Sequence, residues 1–304
     1  MRSKASLARR IGMSRKRAFL IVEGREIDPS FFGALAGADP RLGDGTYEVY
    51  VIDQISGLRH TRGKAGVIEF HDYLRRRQML SQENRVTKVS VLCCVDRDFD
   101  HVLGRVRRRS PHLVYTKNYN VEAEVFMVAD SVRAMSGALS LTRIEAEALV
   151  TALGDWQEQL GELWSDWIEL CILDAGLQAG TGAAPSRKSA VNAGTYGRVD
   201  AAGIASALQT IRVRSRVQNA IDRERYLRAR FRNVTRSDGF ASVVNGKHFP
   251  SYFEHRVKGY YTDDPIALTG LSSRLLSCFL MAVDFTAPWS SHYGRQFSRA
   301  LAAR

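Results

Sequence analysis

The 304-residue sequence has few cysteines and no long apolar run. Its four cysteines are Cys93, Cys94, Cys171 and Cys278, and none of them belongs to a C-x-x-C pair. A structural zinc site is built from closely spaced ligand pairs, so the sequence does not favour one. Because no apolar stretch approaches the ~18 residues of a membrane helix, we expect no membrane span. The basic N-terminus leads into no secretory h-region, so we expect a cytoplasmic protein with reduced thiols.

Acidic residues are in deficit, and residues 1–17 contain none. The chain carries 44 Lys and Arg against 32 Asp and Glu, a formal charge of +12, and seven of the basic residues lie in the first 17. Such a surplus predicts attraction to nucleic acid, anionic lipid or an acidic partner, with solubility alone as the alternative. We interpret residues 1–17 as a basic arm, mobile or weakly helical, for which phosphate contact and plain solvation both stay open.

Short apolar runs alternating with helical patterns predict an α/β fold. The runs are Ala18–Val22, Tyr47–Asp53, Lys88–Val95 and His112–Lys117. We expect a first helix at Asp28, acting as N-cap, with Pro29 at the first helical position. Val67 and Leu74 mark a second helix after a basic loop at Gly57–Gly66. Strands alternating with helices are typical of βαβ crossovers, so we expect a mainly parallel sheet flanked by helices.

After about residue 130 the pattern becomes helical. An apolar stripe at helical spacing predicts a core face, with a docking face as the alternative; its members are Trp156, Leu160, Leu163, Trp164 and Trp167. Gly176–Gly197 is expected to be a flexible loop, and Arg212–Arg236 a long arginine-rich helix. Asp264-Pro265 repeats the cap-plus-proline signal before a final helix through Val283. No Walker motif occurs, so any dependence on ATP would come from a separate chain.

Acidic residues directly follow two of the predicted strands. Glu23 comes after the run at 18–22, and Asp96 and Asp98 come after Val95. Parallel strands bring their carboxyl ends to one edge, so we expect Glu23 and Asp96 within about 10 Å of each other, as a two-metal centre requires. The two-residue spacing would place both aspartates on one side of an extended backbone, with Arg97 directed elsewhere. Carboxylates suit Mg²⁺, so the pattern predicts a metal site, with helix capping as the alternative for Asp98.

Three stretches together resemble the TOPRIM domain, which topoisomerases, primases and OLD-type nucleases share: Phe19-Leu-Ile-Val-Glu-Gly24, Asp28-Pro-Ser-Phe-Phe32 and Leu92-Cys-Cys-Val-Asp-Arg-Asp-Phe-Asp100. Tyr119-Asn-Val-Glu122 and Asn245-Gly-Lys-His248 resemble the Tyr-x-x-Glu and distal Gly-Lys motifs of a TOPRIM-clan family that includes AriB, the effector of the PARIS anti-phage system. OLD-like proteins usually carry an acid four residues after the glutamate. Glu26 and Asp28 bracket that position here, and we favour Asp28.

The resemblance implies a TOPRIM-like sheet and cleavage of phosphodiester bonds with Mg²⁺ or Mn²⁺. Glu23 would be a metal ligand or general base, and Asp96 and Asp98 would be metal ligands. Glu122 would support the metal ligands or bind a second metal. One metal would be held by Asp96 and Asp98, and the other by Glu23 together with Glu122 or Asp28. Lys247 would stabilise charge on the phosphate, an ordinary surface salt bridge being the alternative, and Asn120 matches a small polar position near the metal.

The resemblance also implies partners and an organisation for the chain. We expect a basic arm at 1–17, a TOPRIM-like catalytic core at 18–128, and a mostly helical region at 129–304 whose Gly-Lys motif returns to the site. The substrate would be tRNA or DNA, contacted by arginines; the candidates are Arg97, Arg107, Arg108, Arg214 and Arg216. The family implies an ABC-type ATPase partner resembling AriA, an indirect phage trigger protein and a homodimer when active.

Two alternatives remain open at this stage. The first is an OLD-like DNA nuclease or nickase rather than a toxin directed at tRNA. The second is a non-catalytic regulatory subunit that binds an ABC ATPase and whose acids only organise the fold. Topoisomerase and primase are disfavoured, because the chain lacks zinc-ribbon cysteines and is short for a strand-passage enzyme.

Overall fold

The structure is a computed structural model that describes residues 2–43, 45–85, 87–106, 110–184, 196, 199–261, 268 and 270–303. Its strands are β1 Arg2–Ser3, β2 Ala18–Val22, β3 Tyr47–Val51, β4 Ile55–Ser56, β5 Ser81–Glu83, β6 Lys88–Val95 and β7 Leu113–Tyr115. Its helices are α1 Lys4–Gly12, α2 Asp28–Ala38, α3 Gly63–Arg76, α4 Asp100–Leu103, α5 Val121–Val128, α6 Ser131–Leu139, α7 Arg143–Leu153, α8 Trp156–Leu177, α9 Ala201–Arg214, α10 Ala220–Asp238, α11 Phe249–Tyr260, α12 Leu271–Met281 and α13 Ser291–Ala302.

The main sheet is mostly parallel, which confirms the predicted α/β class. Its strand order is β3-β2-β6-β5, with β7 also paired to β6. β2 lies in parallel register with β3 on one side and β6 on the other, while the short β5 is antiparallel to β6. β2 is buried over its whole length, because a central parallel strand is covered on both faces and so consists of apolar residues.

The chain divides into two compact units. Unit 1 comprises residues 1–97, 107–117 and 284–304, and unit 2 comprises residues 98–106 and 118–283. Unit 1 therefore takes in the N-terminal segment and the last helix, while residues 118–128, predicted with the core, belong to unit 2.

Unit 1 contains the whole sheet and the helices α1, α2, α3 and α13. α2 packs on β2 and β3, and α13 on β6 and β7. Phe31 of α2 lies edge-to-face with Tyr293 of α13, with ring centroids 5.7 Å apart. The last helix thus completes the core of a sheet whose strands come from the first 115 residues.

The N-terminal segment is a packed helix, and the mobile alternative for the basic arm is wrong for residues 4–12. Leu7 and Ile11 of α1 are buried, and Ser3 accepts a hydrogen bond from the Ser6 N–H as N-cap. Arg10 pairs with Glu48 at 2.9 Å, and Lys16 and Arg17 donate to the carbonyls of Gly45 and Arg41, so at least three of the seven basic residues are bound within unit 1. Apolar residues at positions 7, 8 and 11 form the buried stripe that fixes this helix.

Two predicted boundaries near the sheet differ from the structure. α3 begins at Gly63, inside the segment predicted as a loop at Gly57–Gly66, because the Glu69 carboxylate of α3 accepts the N–H groups of Arg59 and His60 and holds the incoming chain. The strand predicted over Tyr47–Asp53 ends at Val51 and continues as a single 3-10 turn.

Unit 2 consists of helices in its described part. The predicted apolar stripe lies on α8 as a core face, with Trp156, Leu160, Trp164 and Trp167 buried and Leu163 partly exposed. Trp156 lies edge-to-face against Phe249 and Phe253 of α11, with centroids 5.2 and 4.9 Å apart. Aromatic contacts therefore join α8 to α11 within this core.

Three predictions about the chain after residue 130 either differ from the structure or concern residues that it does not describe. Arg212–Arg236 is two helices, since α9 ends at Arg214 and α10 starts after Asn219, whose φ is +57°. The predicted loop at Gly176–Gly197 overlaps the end of α8, and residues 185–195 and 197–198 lie outside the described residues. Asp264 and Pro265 also lie outside them, and the last predicted helix is described as α12.

Candidate active site

Glu23 and Asp96 meet at the carboxyl edge of the sheet in unit 1. Each directly follows a strand, β2 or β6, and these strands are parallel neighbours. The Glu23 Oε1 atom accepts a hydrogen bond from the Asp96 N–H at 2.7 Å. The expected proximity of the two residues is therefore present, and the pairing of β2 with β6 produces it.

Asp28 joins this edge through the turn that follows β2. Its Oδ2 atom accepts the Gly24 N–H at 2.7 Å, and the residue is only 7% exposed. The prediction that Asp28 caps α2 is wrong: Ile27 stands at the cap without a side-chain bond, while Asp28 is the first helical residue. Its carboxylate is directed back toward Gly24. Glu26 is exposed, so Asp28 is the acid held against the turn.

The two carboxylates create a negative field at the strand ends. Burial raises the pKa of the Cys94 thiol on β6, and the carboxylates of Asp28 and Glu23 raise it further. Glu23 and Asp28 thus act on the same buried atom. This thiol stays protonated, so Cys94 is a packing residue at the site and not a nucleophile.

Lys64 also lies at this edge, and the sequence reasoning missed it. Its Nζ atom donates to the Asp96 carbonyl at 2.5 Å and lies 5.7 Å from the centre of the Tyr115 ring. A cation in the first turn of a helix opposes the helix dipole. That unfavourable position, one residue after Gly63, is the signal that could have drawn attention to Lys64.

Gly63 brings the start of α3 close to Glu23. Its φ is +61°, a conformation that favours glycine, and a Cβ built on it would lie 4.0 Å from Glu23 Oε2. A larger side chain here would both strain the backbone and crowd the carboxylate.

The segment after Asp96 does not continue the strand. β6 ends at Val95, and Asp98 has a φ of +46°, so the prediction of an extended Asp96-Arg97-Asp98 is wrong. The Asp98 N–H donates to the Tyr119 carbonyl at 2.8 Å within unit 2. Arg97 donates its N–H to Thr116 Oγ1 and its guanidinium to the Lys117 carbonyl at 2.5 Å within unit 1. That bond fixes the side chain that was expected to contact phosphate.

A second polar cluster lies within unit 2, where the distal Gly-Lys motif meets the Tyr-x-x-Glu motif. Asn120 caps α5: its Oδ1 atom accepts the N–H groups of Ala123 and Gly246 at 3.1 and 3.0 Å. Its Nδ2 atom donates to Asn245 Oδ1 at 2.9 Å. Lys247 Nζ is 3.9 Å from Glu122 Oε1. Residues 120–122 and 245–247 thus lie together within unit 2, while the expected return of the Gly-Lys motif to the acids at the sheet edge stays a prediction.

Close packing makes glycine necessary in this cluster. A Cβ on Gly246 would lie 2.1 Å from the Ala123 nitrogen.

Glu124, which the sequence reasoning did not single out, is fully buried and accepts the N–H and the side-chain amide of Asn118 at 2.9 and 2.8 Å. It fixes the turn before α5. A second glutamate on a short, otherwise apolar helix was the available signal.

The fit to a divalent cation rests on the kind of donor atom. The carboxylates of Glu23, Asp28 and Asp96 are the hard oxygen donors that Mg²⁺ takes, and Mg²⁺ commonly uses only one or two protein carboxylates beside water. Among the described residues there is no ready-made group of three or more His, Cys, Asp or Glu side chains that could hold a metal. The residues therefore fit a water-rich site and not a closed protein cage.

The remaining nucleic-acid candidates come from two segments of the sequence. Arg214 and Arg216 are exposed near the end of α9. Arg107 and Arg108 lie outside the described residues. Arg212 and Arg228 are bound to Glu224, so the arginine-rich segment is partly neutralised within unit 2.

The comparisons with known proteins leave the resemblance untested. No family model, curated protein or solved structure matches the chain. In the part of the chain that the structure describes, no helix has the length and apolarity needed to cross a membrane.

Proposed function

We propose that this chain is a divalent-cation-dependent nuclease of the TOPRIM type. One observation carries the proposal: Glu23 accepts the Asp96 N–H at the adjoining carboxyl ends of two parallel strands. In open parallel sheets this edge is where ligands bind. The proposal rests on unit 1 and on its acids.

The residues of unit 1 have separable roles in this proposal. Glu23, Asp28 and Asp96 would hold Mg²⁺ or Mn²⁺, which when bound would activate water and neutralise charge at phosphorus. The Gly24 and Asp96 N–H groups orient two of these carboxylates before any ligand arrives. Lys64 fixes the end of β6 through the Asp96 carbonyl. Such preorganisation lowers the cost of binding a charged substrate.

Several finer assignments are implied by the resemblance alone. They include roles for Asp98, Glu122 and Lys247, a tRNA substrate, action as a toxic effector in anti-phage defence, and an ABC-type ATPase partner. They remain proposals, of which the following experiment tests the substrate.

The test compares Glu23→Gln with Glu26→Gln. Both remove one charge from the same turn, but Glu26 is exposed and makes no contact that the proposal uses. Purified protein is incubated with tRNA and with plasmid DNA in the presence of Mg²⁺, Mn²⁺ or chelator. We expect E23Q to lose at least about 100-fold in cleavage rate, E26Q to keep it, and chelator to abolish it.

The outcomes distinguish the alternatives. Cleavage of tRNA supports the hypothesis of a toxic effector that acts on tRNA. Nicking of plasmid alone supports an OLD-like DNA nuclease. Equal activity of E23Q and the unchanged chain rejects the site. No cleavage of either substrate, with no effect of divalent cations on thermal stability, favours the non-catalytic subunit.

A further inference from the structure

A groove between α9 and α10 lies within unit 2, and none of its lining residues has a role in the proposed catalysis. It has a volume of about 690 Å³ and a mostly apolar lining. Val213 of α9 and Ile221 of α10 line it and are 75% and 76% exposed. Leu177, the last residue of α8, also lines it. Aliphatic side chains so exposed on facing helices are typical of a binding groove.

An ion network holds this groove in shape. Arg212 of α9 binds Glu224 of α10 through two bonds of 2.9 and 2.8 Å, and Arg228 donates to the same carboxylate at 3.0 Å. Arg228 also pairs with Glu169 of α8. Because Glu224 is mostly buried and tied on both sides, the two helices present a preformed surface that loses little freedom on binding.

The surroundings of the groove are strongly positive. Residues 201–238 contain nine arginines and three acids, Asp222, Glu224 and Asp238, which gives a formal charge of +6. Arg214 and Arg216 are exposed close to Val213. Arg225 lines the groove, and among the described residues its ion-pair partner is the exposed Asp222. An exposed pair of this kind is weak and exchanges readily for another carboxylate.

We propose that this groove binds an acidic amphipathic helix of a partner protein. The aliphatic lining would contact the apolar side of such a helix. Arg214, Arg216 and Arg225 would pair with its carboxylates. A second copy of the chain is disfavoured because two segments of charge +6 would face each other. A polynucleotide backbone would use the arginines but leave Val213 and Ile221 without a role.

The test uses the full chain and a fluorescein-labelled peptide of about five helical turns, with Leu on one face and Glu elsewhere. Anisotropy is measured for the unchanged chain, Val213→Ser and Ile221→Ser. Ile144→Ser and Met281→Ser are matched controls, since those residues are 79% and 76% exposed elsewhere in unit 2. We expect V213S and I221S each to weaken binding about tenfold, and both controls to leave it unchanged.

Three comparisons complete the test. A peptide of the same composition in scrambled order, and one with Lys in place of Glu, should each bind at least about tenfold more weakly. Equal binding of the scrambled peptide would overturn the proposal. So would equal loss in the control variants, or a single-stranded RNA or anionic vesicle that displaces the peptide and whose binding falls in V213S. Self-association that V213S abolishes would assign the groove to a second copy instead.

Discussion

The acids at the sheet edge of unit 1, Glu23, Asp28 and Asp96, and the polar cluster of unit 2 around Asn120 and Gly246 are assembled differently. In unit 1 the carboxylates follow paired parallel strands and accept backbone N–H groups. In unit 2 the cluster joins two turns 125 residues apart, through side-chain amides and a glycine. The first arrangement follows from strand pairing, whereas the second depends on close contacts between segments far apart in the sequence. Substitutions in the second cluster should therefore have the larger effect on folding.

The largest expected effect is that of Gly246→Ala. Its new Cβ would lie 2.1 Å from the Ala123 nitrogen, so the two turns must separate. We expect a loss of about 3 kcal/mol or more in the free energy of unfolding. Urea unfolding followed by tryptophan fluorescence measures it.

Gly137→Ala is the matched control, since that residue lies in α6 with nothing within 4 Å of a built Cβ. It should stabilise the chain by about 0.5–1 kcal/mol, because alanine favours a helix over glycine. Equal effects of the two substitutions would contradict the described packing of the cluster.

Asn120→Ala is expected to rank next. It removes the cap of α5 and leaves the Gly246 N–H and the Asn245 amide without this partner, at a cost of about 2–4 kcal/mol. Asp130→Ala removes only an exposed cap of α6 and should cost about 1 kcal/mol. If the two variants lose equal stability by the same urea assay, Asn120 serves only as a cap and joins nothing.

Acid should destabilise unit 1 at a higher pH than unit 2, and this effect on stability should be smaller than that of the substitutions above. Burial lowers the pKa of His112 in unit 1, so the folded unit favours the neutral ring and loses stability as the pH falls below the ordinary histidine value of about 6.5. In unit 2 the bonds from Arg212 lower the pKa of Glu224. The stability that the ionised Glu224 gives unit 2 persists until the pH falls below the ordinary glutamate pKa of about 4.3.

Near-ultraviolet circular dichroism during the titration checks this order. The change attributed to unit 1 should begin at the higher pH and shrink in His112→Gln, while Glu224→Gln should alter only the lower step. A first step that is unchanged in H112Q would contradict the assignment.

The sequence predicted the sheet better than the helices. β2 and β6 have the predicted bounds, because runs of five and eight residues buried in a parallel sheet must be apolar. β5 was missed, since Ser81–Glu83 is short and polar. The break between α9 and α10 was missed because no glycine or proline marks it, and Asn219 makes the turn instead.

The candidate site divides in the same way. Glu23 and Asp96 could be predicted from strand ends. Asp28 was favoured only through the family resemblance and was also expected to cap a helix, and Lys64 was overlooked. The positions of Asp28 and Lys64 depend on how α2 and α3 begin beside the strand ends, and the spacing of apolar residues does not reveal this. The family resemblance singled out Asn120 and the motif at 245–248, but neither it nor any pattern in the residues predicted that Asn120 would bind Gly246.

The central claim is that the acids at the edge of the sheet in unit 1 bind a divalent cation, and Mn²⁺ binding tests it without any substrate. Electron paramagnetic resonance of free Mn²⁺ is recorded while the unchanged chain, Glu23→Gln and Glu26→Gln are titrated. We predict that E26Q depletes free Mn²⁺ as the unchanged chain does, while E23Q binds at least about tenfold more weakly. Equal binding by all three proteins, or none by the unchanged chain, would contradict the claim.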